Sequence, residues 1–395
     1  MNILIVCYEY PPLGGGGGVA VHDIAHDLAH RHRVHVLTSS GPNLKREETV
    51  EGLDLTIFRS RVLFRSARAV ASIPSMLCFY PFGIQRGRRL IREYTYDVVN
   101  SWFAIPSGPT GTHLASIARV PNVLTLIGGD LYDPSKWYSP HRNPLLKRTV
   151  TGVLRKAHAH LAISKDVADR TRDIYGFDRP VEVVSLGIDL PNFAPATRKE
   201  LGLHRDVVYL ATVGRLVHRK DHETLLRALA QLNDPKVHLL VIGDGPLHDP
   251  LGQLASQLNI AKQVQFCGFV PEQMKFQLLS NADLFSLTSL HEGFGLAYLE
   301  AMHCGLPIVA TTTGGQKDFL EDGKTGYLVP TGNADAIKQA LSQLVAEPRL
   351  RQTMGAYNRQ LASQYTVART AQRYESAFER AAVAFGSPAA ERTGI

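Results

Sequence analysis

The chain of 395 residues is 44% hydrophobic and 20% charged, enough apolar content for a large core and too much length for one compact domain. Its net charge of +7 and isoelectric point near 9.2 favour acidic partners, whether nucleotide, nucleic acid or anionic lipid. Cys7, Cys78, Cys267 and Cys304 lack C-x-x-C spacing, which argues against a disulfide scaffold or thiolate metal site and for free thiols in a reducing compartment.

In chain order, Asn2 to Cys7 is a β-branched, apolar run that reads as a buried first strand and not as a leader peptide. No apolar run later in the chain reaches the roughly 20 residues of a spanning helix, so a cytoplasmic protein is expected. The glycine-rich stretch through Gly18 separates the first strand from a helix expected over Val19–His30, with a strand at Arg33–Thr38. A glycine loop at the carboxyl end of a parallel strand is where open α/β sheets bind ligands. It lacks G-x-G-x-x-G spacing, and no acid closes the second strand, so a nicotinamide site is disfavoured.

After a strand at Leu53–Phe58, the stretch Arg59–Arg92 sets Arg59, Arg61, Arg65 and Arg68 before an apolar centre, with Arg86, Arg88, Arg89 and Arg92 beyond it. Pro74 and Pro81 argue against one straight helix here. The composition fits an anionic membrane surface, and equally a core-packed segment with a solvated basic face. Strands follow at Tyr96–Trp102 and Asn122–Ile127. The second runs into Gly128-Gly129-Asp130, which makes Asp130 a candidate on the acceptor side. Strands at His160–Ser164 and Val181–Ser185 bracket a helix at Lys165–Tyr175 and complete the first half.

Pro/Gly punctuation from Leu186 to Thr197 marks a linker. A second strand–helix alternation then begins at Val207–Val213 and continues through strands at Val237–Ile242, Val264–Phe266, Ala282–Leu287 and Pro307–Thr311. The alternation implies two doubly wound, Rossmann-like α/β sheets facing a cleft. The expected division is 1–187, 188–372 and a closing helix, 373–395, that packs back on the first domain.

Two stretches carry the chemistry. Between the strand ending at Leu287 and a helix from Leu296 to His303 lies a loop with Glu292, Gly293 and Gly295, and Glu300 sits on the helix. A helix opening against a glycine turn offers unpaired N–H groups to an anion, and flanking carboxylates suit hydroxyls, so the pattern fits a sugar carried on phosphate. The second stretch, Gly214-Arg215 through Lys220, places a guanidinium and an ammonium at a strand's carboxyl end, where they can stabilise a leaving diphosphate. Taken singly these would be ordinary solvated surface cations. No D-x-D triplet occurs, so no metal and no cofactor are expected. His22, His26, His30, His32 and His35 read as an exposed helix face, because no Cys or acid completes a ligand set.

Together with Gly243-Asp244-Gly245-Pro246, Gly268-Phe269-Val270-Pro271, Gly305-x-Pro307 and Gly314-Gly315, these stretches resemble retaining glycosyltransferases of the GT-B fold, family four (group 1), over nearly the whole chain. The resemblance implies a metal-independent, front-face transfer from a nucleotide-diphosphate sugar to a glycan or lipid-linked acceptor, as in polysaccharide assembly. By resemblance, Arg215 and Lys220 hold the diphosphate beside Gly214, Glu300 takes the ribose hydroxyls, and Glu292 takes those of the donor sugar. The backbone of Phe294, Gly295, Leu296 and Ala297 would contact sugar and phosphate, with Phe269 and Val270 bracketing the base. Gly15 and Gly16 would approach the diphosphate from the first domain. Ile127 stands where the family has a histidine over the transferred sugar, Ser185-Leu186 replaces its Pro-Asn, and Asp318 replaces a Glu. A donor-binding scaffold or sensor without transfer is the alternative. Nucleic acid is not expected, because the arginine-rich stretch lacks interleaved aromatics at a recognisable module spacing.

Overall fold

A computed structural model of the chain describes residues 1–63 and 72–386. Arg65 and Arg68, and the tail beyond Gly386, therefore lie outside the described residues. The chain divides into two units: Met1–Gly187 with Thr366–Ile395, and Ile188–Tyr365. The chain re-enters the first unit at Thr366 and not at residue 373. Gly187 and Thr366 run backbone against backbone, and a Cβ on Gly187 would lie 2.1 Å from the Thr366 carbonyl oxygen, so only glycine fits where the chain leaves.

The first unit contains β1 (Asn2–Cys7), α1 (Gly16–Leu28), β2 (Arg33–Ser39), β3 (Glu47–Thr49), β4 (Leu55–Ser60), α2 (Ile73–Glu93) and β5 (Val98–Trp102). It continues with α3 (Ser107–Ala118), β6 (Asn122–Leu126), α4 (Pro144–Lys156), β7 (Ala159–Ala162), α5 (Lys165–Tyr175) and β8 (Glu182–Val183). The strand order is β3-β4-β2-β1-β5-β6-β7-β8. Among the described strands of this unit only β3 runs antiparallel, an exposed edge strand whose pairing the sequence pattern does not reveal. The central strands are buried on both faces, as their unbroken apolar runs require.

Several elements differ from the sequence expectation. Helix α1 begins at Gly16, not Val19, so Gly16 to Gly18 form its first turn and not a loop. Helix α2 is one helix despite its prolines. Pro74 sits in the first turn, where no N–H bond is lost, and Pro81 lies on the exposed side, where the bond it forfeits would have been to solvent-facing Leu77. Ser72 caps its start by accepting from Ser75 N–H at 3.3 Å. Helix α4, capped by Asn143, was not anticipated; its start is polar and proline-bearing and reads as loop.

The second unit contains β9 (Val208–Val213), α6 (His222–Leu232), β10 (Val237–Ile242), α7 (His248–Gln257), β11 (Val264–Gly268), α8 (Glu272–Ser280) and β12 (Leu284–Leu287). Helix α9 (Leu296–His303), β13 (Ile308–Thr311), β14 (Gly326–Val329), α10 (Ala334–Ala346) and α11 (Pro348–Ala362) complete it. All six strands are parallel, ordered β11-β10-β9-β12-β13-β14. Chain order reverses between β9 and β12, and the crevice outside their carboxyl ends is the topological switch point where such sheets take ligands.

Helix α12 (Val367–Ala384), separate from α11, closes the first unit. Thr366 caps it, Thr370 Oγ1 donates to the Ser185 carbonyl, and Glu375 accepts from Arg31 and His32. Its anchor is Tyr374, stacked on Trp102 with ring centroids 5.5 Å apart and both rings fully buried. Tyr374→Ala is expected to cost about 3–5 kcal/mol, the usual range for emptying an aromatic core site. Urea unfolding followed by tryptophan fluorescence checks this; a loss below about 1 kcal/mol would mean that α12 is not anchored there.

Candidate active site

The switch point of the second unit brings together the two stretches singled out in the sequence. The turn after β9 ends in a short 3-10 segment, His218–Lys220, and Lys220 Nζ lies 2.5 Å from Glu292 Oε1 on the loop after β12. Ser289 Oγ donates to the same oxygen at 2.6 Å. Both side chains of the pair are nearly buried. Burial alone would push the Glu292 carboxyl up, but Lys220, Arg219 and the Ser289 hydroxyl overcome it and hold the group down at about 2. Burial pulls the Lys220 ammonium down while Glu292 resists, and Arg215 is close enough to add repulsion. The pair is a carboxylate and an ammonium, with the Arg215 guanidinium at hand.

Backbone contacts fix this geometry. Leu290 N–H donates to Arg219 O at 2.8 Å and Thr288 Oγ1 to Asp221 O at 2.8 Å, locking the two loops together. Gly315 N–H donates to Glu292 O at 2.8 Å. Gly314, with φ of +129°, passes so close that a Cβ would lie 2.4 Å from the Glu292 carbonyl oxygen, so the double glycine serves the site by letting this loop approach. Gly214 sits beside the Lys220 stem. His222, at the start of α6, is buried with neither ring nitrogen hydrogen-bonded; burial first and Lys220 second push it down to about 4, so it borders the pair as a neutral ring.

Glu300 on α9 meets a partner that the sequence reading missed. Lys275 Nζ of α8 lies 2.8 Å from Glu300 Oε1 and rests over the Phe276 ring. Burial opposes the charge on Lys275, but Glu300 outweighs it and raises the ammonium above its usual value. Residues 25 apart in sequence on different helices give no local signal for this pairing. Phe269, just past β11, is 84% exposed, whereas Val270 is half-buried against the sheet. Phe294 is buried against Phe319 and Tyr365, so only its backbone could meet a ligand; Gly293 is also buried, and Gly295, Leu296 and Ala297 are half-buried at the start of α9. The switch-point loops thus gather Gly214, Arg215, Lys220 and Glu292.

In the first unit, Gly15 N–H is taken by Glu9 Oε2 at 3.0 Å, and Gly16 opens α1. Ile127 and Phe103 lie against Gly17, so an apolar contact braces the glycine turn where the family has its histidine. Asp130 is a buried brace: Oδ2 accepts from Ala104 N–H at 2.6 Å and Oδ1 from Ile127 N–H at 3.2 Å. Burial raises its carboxyl to about 6, and these backbone bonds restrain the rise. His22 and His26 stack at 3.9 Å. Among the described residues no group of three His, Cys, Asp or Glu side chains is placed to hold a metal.

Comparison with known proteins shows the family. Residues 14–191 match Glycosyltransferase Family 4, and residues 194–361 match Glycosyl transferases group 1. A GDP-mannose-dependent alpha-(1-6)-phosphatidylinositol monomannoside mannosyltransferase of Mycolicibacterium smegmatis is 28% identical, over 90% of this chain and 92% of that protein. A D-inositol 3-phosphate glycosyltransferase of Kribbella flavida is 31% identical over 72% and 71% respectively. Among solved structures, a sucrose-phosphate synthase from Thermosynechococcus elongatus superposes with a TM-score of 0.85 at 20% identity, covering 97% of this chain and all of that one. The chain belongs to family 4, group 1, of the glycosyltransferases, and its fold is GT-B.

The raised carboxyl of Asp130 sets a pH test. Its folded value, about 6, lies above the ordinary 3.8, so the folded state keeps a proton that the unfolded chain sheds and stability falls as pH rises between those values. The stability of wild type relative to Asp130→Asn should decline by up to about 3 kcal/mol from about pH 3 to about pH 7 and then level off. Denaturant titrations across that range provide the check, and a difference that stays flat with pH contradicts the assignment.

Proposed function

We propose that the chain is a retaining, metal-independent hexosyltransferase that moves a sugar from a nucleotide-diphosphate sugar to a glycan or lipid-linked acceptor. The observation that carries this reading is the Lys220–Glu292 pair, with Arg215 beside it, at the switch point of the second unit. A leaving diphosphate gains charge as the bond between the sugar carbon and its oxygen breaks. A preorganised ammonium and guanidinium stabilise that charge without reorganisation. Lys220 and Arg215 take that role, in place of a metal.

Glu292 is held by Lys220 and Ser289 through a single oxygen, Oε1, which leaves Oε2 as the acceptor for hydroxyls of the donor sugar. Glu300, steadied by Lys275, receives the ribose hydroxyls, and the exposed Phe269 with Val270 brackets the base. Gly214, Gly293, Phe294, Gly295, Leu296 and Ala297 supply backbone to sugar and phosphate. In a front-face transfer the acceptor oxygen bonds to the sugar carbon on the side the diphosphate leaves, and its proton passes to the departing phosphate oxygen. Retention then follows without a protein base, consistent with a buried, bracing Asp130 and an apolar Ile127.

The names of two relatives support the substrate classes. The M. smegmatis enzyme is GDP-mannose-dependent with a phosphatidylinositol monomannoside acceptor, and a structural neighbour from Anabaena is described in complex with UDP-glucose. With a lipid-linked acceptor the enzyme would work at the cytoplasmic face of a membrane, with α2 as the proposed contact. Ile73, Leu77 (68% exposed) and Tyr80 are followed on the exposed side by Arg88, Arg89 and Arg92. Arg59 and Arg86 are not part of that face: Arg59 is buried against Glu48, and Arg86 pairs with Glu47 over the Phe58 ring. No described helix is long and apolar enough to cross a membrane.

Two experiments test the reading. With nucleotide sugars and lipid acceptors, wild type should release nucleoside diphosphate, and Lys220→Ala or Arg215→Ala should lower kcat at least about 100-fold, the loss typical of removing one charge-stabilising donor. Donor binding without turnover on any acceptor would favour a sensor, and absence of nucleoside-diphosphate binding by calorimetry would remove the proposal. For the membrane, each surface cation contributes about 1 kcal/mol, so Arg88→Ser with Arg89→Ser should reduce binding to phosphatidylglycerol vesicles roughly thirtyfold in co-sedimentation. Unchanged sedimentation rules out α2 as the contact.

A further inference from the structure

The first unit carries a groove of about 840 Å³ between α3 and α4, with Tyr80 of α2 on its rim. It ends at Asn122 and His158, beside the amino ends of β6 and β7, the end of the sheet opposite the glycine-rich turn. Small side chains keep it open: Ala115 and Ser116 on α3 face Thr149 and Gly152 on α4. A Cβ at Gly152 would meet no atom within 4 Å, so the helices do not close over this point.

The lining is of two chemical kinds. Leu145, Val120, Val153 and Phe385 give it apolar surface, and Leu145 is 72% exposed at one end. Arg119, Arg148 and Lys156 stand around it, and among the described residues no Asp or Glu lines it. None of these three forms an ion pair among the described residues, whereas Arg31, Arg59, Arg86 and Arg170 of the same unit are all paired. Exposed cations beside apolar surface are complementary to a ligand that carries both an anion and a hydrocarbon chain. A free phosphate would satisfy the first and leave the second wet, and a second copy of this basic surface would meet like charge.

We propose that the α3–α4 groove binds a single anionic phospholipid molecule, its phosphate among Arg119, Arg148 and Lys156 and its acyl chain on the apolar wall. Charge-assisted hydrogen bonds and apolar burial then add on one ligand. This goes beyond the transfer reading, because the groove's lining contains none of the donor residues. It also differs from the α2 contact in taking an individual lipid and not a membrane plane.

The test is calorimetric titration of the full chain with dihexanoyl phosphatidylglycerol below its micelle concentration. One molecule per chain should bind saturably, dihexanoyl phosphatidylcholine should bind at least about tenfold more weakly, and inorganic phosphate should not saturate in that range. Gly152→Leu fills the groove without touching the donor site and should weaken the anionic lipid at least about tenfold, with melting temperature and nucleoside-diphosphate binding retained. Arg148→Gln with Lys156→Gln is the second variant, with the same expected loss, should the leucine disturb folding. Equal affinity for the two lipids, saturation by phosphate alone, self-association in place of lipid binding, or unchanged affinity in a folded variant overturns the proposal.

Discussion

Placing two opposite charges in a nearly dry site costs several kcal/mol per ion unless each is closely partnered. The Lys220–Glu292 pair imposes that demand on the second unit. Ser289 completes the carboxylate, the loops after β9 and β12 are joined backbone to backbone, and Gly314 lets a third loop reach the Glu292 main chain. The glycines and small hydroxyl residues of this region are explained by one requirement: the loops must hold a charged pair still. Removing either partner strands the other, so the pair is both a structural commitment and a chemical one.

The two units use the same architecture for different ends. In the second, the switch-point crevice concentrates charge. In the first, the corresponding turns after β1, β5 and β6 are knit by Asp130, Ile127 and Phe103 into a braced, partly apolar surface. Such a division suits the proposed reaction, in which the donor brings the charge and the acceptor brings mainly hydroxyls and hydrocarbon. The basic, apolar character of α2 and of the α3–α4 groove belongs to the same unit.

Much of the second unit was legible in the sequence, because its chemistry is written locally: Glu292 and Glu300 lie on one loop and helix, and Arg215 and Lys220 on one turn. The parallel strands were legible for a similar reason, since unbroken apolar runs admit few other placements. Pairings made by the fold were not legible. Lys275 reaches Glu300 only when α8 packs beside α9, and the sequence, which makes Asp130 an acceptor-side candidate, does not show its carboxyl buried on two backbone N–H groups. Helix α2 was misjudged because a proline's cost depends on which side of the helix it faces, and the edge strand β3 because charged, exposed edges carry no hydrophobic period. The return of the chain at Thr366 rests on a main-chain crossing at Gly187 that sequence spacing does not encode.

The central claim is that Lys220 and Arg215 receive the donor diphosphate. A crystal structure of the chain with a nucleoside diphosphate and its sugar tests it most directly. The account predicts Lys220 Nζ and the Arg215 guanidinium within about 3 Å of phosphate oxygens, with Glu300 on the ribose. A nucleotide bound elsewhere, or bound with Lys220 held on Glu292 and out of reach of phosphate, would contradict it.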